Sequence, residues 1–253
     1  MNTPLIELRN VAMAFDDSHV LHDVSLRIEK NEAVVIIGPS GEGKSVVLKM
    51  IAGILPPTRG QVLIDGIDLY MAPESDRLEQ ARRMGMLFQK NALFDSLSVG
   101  ENIAFPLREL TDLTESAIQD KIDFFLKAVG IPQAKKLFPD EISGGMQKRL
   151  GIARALALAP EIILYDDPTA GLDPITSRRI VELILQLKKE NKSTVVAITN
   201  DMNRAYQMAD RICMVCDGDV IVTGTIAETK KHKDPRVQQF IQGLLNGPLT
   251  AQA

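Results

Sequence analysis

The chain has 253 residues, 45% of them hydrophobic and 25% charged, enough to bury a core in one compact unit or in a core carrying a smaller lobe. A net charge of -4 supplies no basic stripe for neutralising a phosphate backbone, which argues against nucleic acid as the main partner. No apolar run approaches the roughly 20 residues that span a bilayer, and residues 1–10 lack the basic and apolar stretches of a signal peptide, so a soluble, cytoplasmic chain is expected.

In chain order, short alternating runs at residues 5–8, 25–28 and 62–64 read as strands of a small antiparallel layer. Between the last two lies a continuous apolar strand, residues 33–37, then a glycine-rich turn, then Val46, Val47, Met50, Ile51 and Ile54 at helical spacing. A buried strand feeding a helix is the unit of an α/β fold. Residues 90–160 break the alternation: Ile118, Ile122, Phe125, Leu126 and Val129 repeat at helical spacing without a β-rich run, which predicts an inserted helical lobe. Apolar strands resume at 162–165, 194–199 and 212–215. The second follows a helix with Asp173 as cap, Pro174 at its first position and Ile180, Leu183, Ile184 and Leu187 on one face. Cys213 and Cys216 lie three apart in a strand, on opposite sides of the sheet, and read as small core residues. From Asp234 and Pro235 onward, Val237, Phe240, Ile241, Leu244 and Leu245 form the face of one amphipathic helix. The expected organisation is an α/β core of residues 1–89 and 161–227 with a mainly parallel sheet, a helical subdomain of 90–160 and a tail of 228–253.

Three motifs carry chemistry. Gly38-Pro39-Ser40-Gly41-Glu42-Gly43-Lys44-Ser45, with Val46 next, fits G-x-x-x-x-G-K-[ST] and stands after a buried strand and before a helix. The glycines turn backbone N–H groups inward around phosphates, the helix N-terminus adds positive potential, Lys44 meets β/γ oxygens, and the Ser45 hydroxyl ligates Mg²⁺. The strand 162–165 delivers Asp166 and Asp167 at its C-terminal end, where ligands of open α/β sheets bind. Asp166 is a candidate Mg²⁺ residue, and Asp167 stands where an attacking water is oriented or deprotonated. Ser143-Gly144-Gly145-Met146-Gln147 opens a long helix and forms a second anion site, which suggests two chains sharing each ATP.

With Gln89, Ile142 before Ser143, and Ala170-Gly171-Leu172-Asp173 in matching order, the chain resembles the ATP-binding cassette family over nearly all its length. The resemblance implies a P-loop NTPase fold in which Phe15 stacks on adenine and Gln89 reaches Mg²⁺ and the lytic water. It also implies that Ser143, Gly144, Gly145 and Met146 contact the γ-phosphate of ATP held by a second copy, with Asp173 coupling the two sites. The alternative for Phe15 is an ordinary core side chain. Residues 92–107 resemble the surface that grips a transmembrane permease, so membrane contact is indirect, at the cytoplasmic face of the inner membrane. Met146, the segments 87–94 and 104–109, and the tail 234–243 are similar to a branch that moves phospholipid between Gram-negative membranes with an MCE-domain protein. The tail's apolar face would dock on the other protomer of a homodimer, on a small accessory protein, or on its own chain.

Where the family has glutamate after the Mg²⁺ aspartate and histidine after the following strand, this chain has Asp167 and Asn200. Aspartate is one methylene shorter, and asparagine neither carries positive charge nor titrates. The expected outcome is ATP binding with slow or partner-dependent hydrolysis. Competing readings are a non-hydrolysing ATP-gated dimer switch, the ATPase of an amino-acid or ion transporter, and a DNA-repair or translation ATPase. Against the last, this sequence shows no coiled-coil insertion, tandem second cassette or basic patch.

Overall fold

The computed structural model describes residues 3–16, 18–88 and 92–250, and these form two compact units. The first comprises residues up to 81 together with 195 onward, and the second comprises 82–194.

The first unit begins with an antiparallel layer in which β1 (Ile6–Phe15) lies between β2 (Ser18–Ile28) and β4 (Arg59–Ile64), with β5 (Ile67–Asp68) outermost. Ile6 of β1 stands opposite both Ile28 and Ile64, and all three are fully buried. The second layer is mainly parallel. There β3 (Ala33–Ile37) lies between β8 (Thr194–Ile198) and β9 (Arg211–Cys216), parallel to both, while β10 (Asp219–Gly224) returns antiparallel along β9. Every residue of β3 and β8 is buried, as expected of strands covered on both faces. A 2.9 Å bond from His22 N–H to the Gly218 carbonyl ties β2 to the β9–β10 turn. Cys213 and Cys216 are fully buried on β9, where burial raises the thiol pKa to about 12 and about 11.

Helix α1 (Lys44–Ile51) follows β3 and buries Val47, Leu48, Met50 and Ile51, and α2 (Glu74–Arg82) follows β5. Helix α1 ends at Ile51, with Gly53 at φ 72°, so Ile54, expected on its face, is 52% exposed. Helix α7 (Met202–Met208) connects β8 to β9, capped by Asp201, which accepts from the N–H groups of Asn203 and Arg204. Beyond β10 come α8 (Ile226–Lys230) and α9 (Pro235–Gln242). The tail forms a shorter helix than its apolar repeat predicts, because Gly243 adopts the left-handed conformation (φ 65°) and closes α9 at Gln242. Val237 is buried on its own chain, whereas Leu244 and Leu245, beyond the helix, are 49% and 87% exposed.

In the second unit, β6 (Met84–Leu87) runs parallel to β7 (Ile162–Asp166). Helices α3 (Val99–Leu110), α4 (Glu115–Ala128) and α5 (Gly144–Leu156) occupy the region expected to be a helical lobe. Their first turns are capped by the hydroxyls of Ser98, Thr114 and Ser143, each contributing about 1 kcal/mol. Ile118, Ile122, Phe125 and Leu126 of α4 are buried, as their spacing requires. Gly85 of β6 allows close approach of α5, since a Cβ there would lie 2.2 Å from the Ala155 carbonyl oxygen. After β7, Asp173 caps α6 (Pro174–Asn191) by accepting from the N–H groups of Ile175 and Thr176.

Tyr165 on β7 is fully buried, and its hydroxyl has no hydrogen-bond partner among the described residues. A buried unsatisfied hydroxyl costs about 1–3 kcal/mol. Tyr165→Phe removes that cost with almost no change in shape, so it is expected to leave the chain as stable as the parent or more stable by about 1 kcal/mol. A urea midpoint measurably below the parent's would show that the hydroxyl has a partner.

Candidate functional site

In the first unit the glycine-rich loop leaves β3 at its C-terminal edge. Gly38 has φ 138°, and a Cβ there would sit 2.1 Å from the Val215 carbonyl oxygen of β9, so the chain passes this point only as glycine. Gly41 and Gly43 also have positive φ, 90° and 92°. Gly43 occupies the N-cap of α1 in the left-handed conformation, with no side-chain cap. A Cβ on Gly43 would meet Val20 Cγ1 at 2.8 Å, which sets the β1–β2 hairpin directly against the loop. Gly41, by contrast, faces open space.

Lys44, the first residue of α1, is only 7% exposed. Its ammonium donates to the carbonyl oxygens of Gly38 (2.7 Å) and Pro39 (2.5 Å), folding back along the loop it closes. Ser45 and Val46 are half-buried in the first turn, and Ser40 is exposed. The first N–H groups of a helix have no acceptor within the helix. With the aligned peptide dipoles, they make this turn, one buried cation at its head, an anion-binding feature.

Two further expected residues belong to the same unit. Phe15 is 45% exposed at the end of β1, opposite Ser18, and is therefore not a core side chain. Asn200 is exposed just beyond β8. The Thr199 N–H bonds to the Ile36 carbonyl (3.2 Å), so Asn200 leaves the parallel sheet at the edge where residues 38–43 leave β3.

The remaining expected residues lie in the second unit, except Gln89, which lies outside the described residues. β7 ends on Asp166, 8% exposed, and Asp167 follows with φ 52°. Aspartate tolerates this left-handed conformation better than most residues. It interrupts the alternation that would send consecutive side chains to opposite faces of a strand. A tight turn follows, with the Ala170 N–H bonded to the Asp167 carbonyl. On α5, the Ser143 hydroxyl accepts from the Met146 N–H (3.3 Å), leaving its own O–H as a donor. Ser143 and Gly144 are exposed, Gly145 and Met146 half-buried, and a Cβ on Gly144 would meet nothing within 4 Å. The opening turn of this helix is thus bare to the outside.

The start of α5 runs beside residues 166–173: a Cβ on Gly145 would lie 3.4 Å from Leu172 Cδ2. One turn further, Lys148 is 7% exposed. Burial lowers its pKa, and the negative charges of Asp167 and Asp166 oppose that shift. Arg149 anchors the helix to the end of α4 through the carbonyls of Val129 (3.1 Å) and Gly130 (3.0 Å). Neither cation is legible in the sequence, because nothing in the spacing marks an internal helical lysine as buried or an arginine as anchored to the end of another helix. Elsewhere in the unit, Phe94 and Phe105, 37% and 41% exposed, meet edge to face at 4.9 Å. The Arg154 guanidinium lies 4.4 Å over the Phe94 ring, giving residues 92–107 an aromatic surface.

The family model described as ABC transporter matches residues 21–170, more than half of the chain. The chain belongs to the ABC transporter family. It is 39% identical over 249 residues to the intermembrane phospholipid transport system ATP-binding protein MlaF of Haemophilus influenzae, covering 98% of this chain and 94% of that one. It is 40% identical over 244 residues to the probable ribonucleotide transport ATP-binding protein mkl of Mycobacterium leprae, covering 96% of this chain and 70% of that one. Among solved structures, the dimeric post-hydrolysis state of the ATP-binding cassette MJ0796 bound to ADP and Pi superposes with TM-score 0.80 at 34% identity, covering 85% of this chain and 96% of that one. The ABC ATPase fold expected from the sequence, an α/β chain with an antiparallel layer and a mainly parallel sheet, is the fold found. As in the sequence reading, no helix among the described residues is long and apolar enough to cross a membrane.

Proposed function

We propose that this chain is the ATP-binding and ATP-hydrolysing subunit of a phospholipid transporter, working as a homodimer at the cytoplasmic face of an inner membrane. The observation that carries the ATP reading is the loop of Gly38, Gly41 and Gly43 closed by buried Lys44 at the head of α1. Its backbone N–H groups and ammonium suit the β- and γ-phosphates, with Pro39, Ser40 and Val46 completing the cradle. Exposed Phe15, on the hairpin that abuts Gly43, offers a ring face to the adenine, worth about 1–3 kcal/mol.

The oxygen donors Ser45 and Asp166 fit Mg²⁺, a hard cation, and Gln89 is assigned to the same ion. When bound, Mg²⁺ neutralises charge between the β- and γ-phosphates. Asp167 is the carboxylate that accepts a proton from, or orients, the attacking water, and Asn200 donates an amide hydrogen toward the γ-phosphate without charge. Ser143, Gly144, Gly145 and Met146 complete the site of a second copy. Support comes from the bare first turn of α5 and from the dimeric state of the cassette MJ0796.

Asp167 and Asn200 are weaker catalytic groups than glutamate and histidine, so slow hydrolysis is expected. One well-placed charge-stabilising group is worth about 10²–10³ in turnover. Asp167→Glu or Asn200→His, measured in the assembled transporter, should therefore raise turnover by at least about 10-fold. If neither does, the attenuation reading is wrong. Absence of even single-turnover hydrolysis in the parent would favour an ATP-gated switch.

Phospholipid is favoured as cargo because the chain covers nearly the whole length of MlaF but only 70% of mkl. The aromatic surface of residues 92–107 suits a permease, and an MCE-domain protein completes the assembly. Exposed Leu244 and Leu245 suit an accessory protein or the second copy. Reconstitution with a permease and an MCE-domain protein should give ATP-dependent transfer of labelled phospholipid between vesicles. Ribonucleotide uptake without lipid transfer would overturn the cargo.

A further inference from the structure

We infer that Arg236 is a positioning residue for nucleotide binding: from α9 it holds the turn between β9 and β10, and that turn holds Glu42 of the phosphate loop. The inference rests on the ATP-binding reading above and adds the C-terminal tail to it.

The end of β9 and the turn after it meet the phosphate loop at two places, all within the first unit. The Val215 backbone stands where a Cβ on Gly38 would lie. Two residues later the Asp217 N–H donates to Glu42 Oε2 at 2.7 Å. Between these points the loop is open, with Ser40 exposed and Gly41 facing open space. Glu42 is flanked by Gly41 and Gly43, both at positive φ. Glycine has the most conformational freedom to lose on ordering, so a loop built on these two residues needs an outside contact to keep one shape. The Glu42 carboxylate makes that contact.

The tail holds the same turn from its other side. Arg236, the second residue of α9, donates from Nη1 to Asp217 Oδ2 at 3.0 Å. Two further donors go to the cap of its own helix, Nη2 to Asp234 Oδ2 at 2.8 Å and Nε to Asp234 Oδ1 at 3.2 Å. Asp234 Oδ1 also accepts from the Arg236 backbone N–H (2.8 Å), and the next residue, Val237, is fully buried. The planar guanidinium is thus aimed by its own helix, which leaves little freedom to lose in holding Asp217. Asp217 joins the two ends: its carboxylate faces the tail and its N–H faces the loop. The Asp217 side chain is 50% exposed, and an ion pair in that setting adds little to global stability. Its effect falls on the loop, where fixing one backbone shape in advance reduces the ordering cost of gripping phosphates.

The test titrates the full chain with Mg²⁺ and a fluorescent, non-hydrolysable ATP analogue. Arg236→Met keeps an unbranched stem and removes the guanidinium, and it is expected to bind about 3–10-fold more weakly, the worth of one net hydrogen bond. KM for ATP in the assembled transporter should rise likewise, with kcat changed by less than about 2-fold, because Arg236 touches no reacting group. Glu42 is tested with two neutral variants, so that the loss of its charge cancels. Glu42→Gln keeps an acceptor for the Asp217 N–H and Glu42→Met does not, so the second should bind about 3–10-fold more weakly than the first. Adding Arg236→Met to Glu42→Met should bring no further loss, since the link is already cut. Every variant should melt within a few degrees of the parent. Parental affinity in Arg236→Met overturns the inference. So does an equal loss from Arg236→Met in both backgrounds, or a loss that comes with markedly lowered melting, either of which would make Arg236 a packing residue of the tail. If the parent does not bind the analogue, the ATP reading fails and this role fails with it. A binding parent indifferent to Arg236 removes this role alone.

Discussion

Lys44→Met is expected to reduce ATP hydrolysis by about 10²–10³-fold, the cost of removing one well-aimed charged donor from a phosphoryl-transfer site. Lys44 has two tasks that methionine cannot perform. Its ammonium is the buried positive charge at the head of α1, and it donates to the carbonyl oxygens of Gly38 and Pro39, bracing the loop across its mouth. Methionine fills the same stem volume, so α1 should stay packed and the defect should appear in nucleotide affinity and turnover rather than in melting temperature. Steady-state hydrolysis, equilibrium titration with labelled ATP and a thermal melt separate these. A variant with parental turnover would sink the assignment of residues 38–45 as the catalytic phosphate loop.

Gly38→Ala is expected to destabilise the chain by at least about 3 kcal/mol, combining left-handed backbone strain with overpacking. The added carbon would meet the Val215 carbonyl oxygen, carbon and nitrogen at 2.1, 3.1 and 3.3 Å, all of them backbone. That backbone has little room to yield, because β9 is paired on one side with β3 and on the other with β10. A urea midpoint well below the parent's, with an unchanged slope, is the expected result. A midpoint equal to the parent's would mean that the loop does not run against β9.

How much of this was legible in the sequence depended on how local each signal was. The pairing of β3 with the loop and α1 was readable because five consecutive apolar residues, spaced glycines and the helical repeat all point to one arrangement. Strand β6 was not. Met84-Gly85-Met86-Leu87 is four residues long, contains glycine and shows no β-branched enrichment, and it is a strand because β7 lies beside it. Strand β10 was missed for a different reason, since its cue was present: Asp217-Gly218 is a two-residue turn with φ 53° and 75° joining Cys216 to Asp219. Such turns favour Asp-Gly because both positions need positive φ. Asp65-Gly66 joins Ile64 to Ile67 in the same way. The tail's apolar repeat overreached, because Gly243 stops α9 in spite of it. In the candidate site the motif residues are legible, whereas the burial of Lys148 follows only from how α5 packs.

The burial of Cys213 and Cys216 has a practical consequence. The chain contains two cysteines, both fully buried and with raised thiol pKa, so neither offers maleimide an accessible thiolate at neutral pH. A cysteine placed at Leu245, 87% exposed, would accept a fluorophore or spin label on an otherwise silent background. The parent sequence is therefore ready for spectroscopic mapping of what covers its tail, without a cysteine-free intermediate.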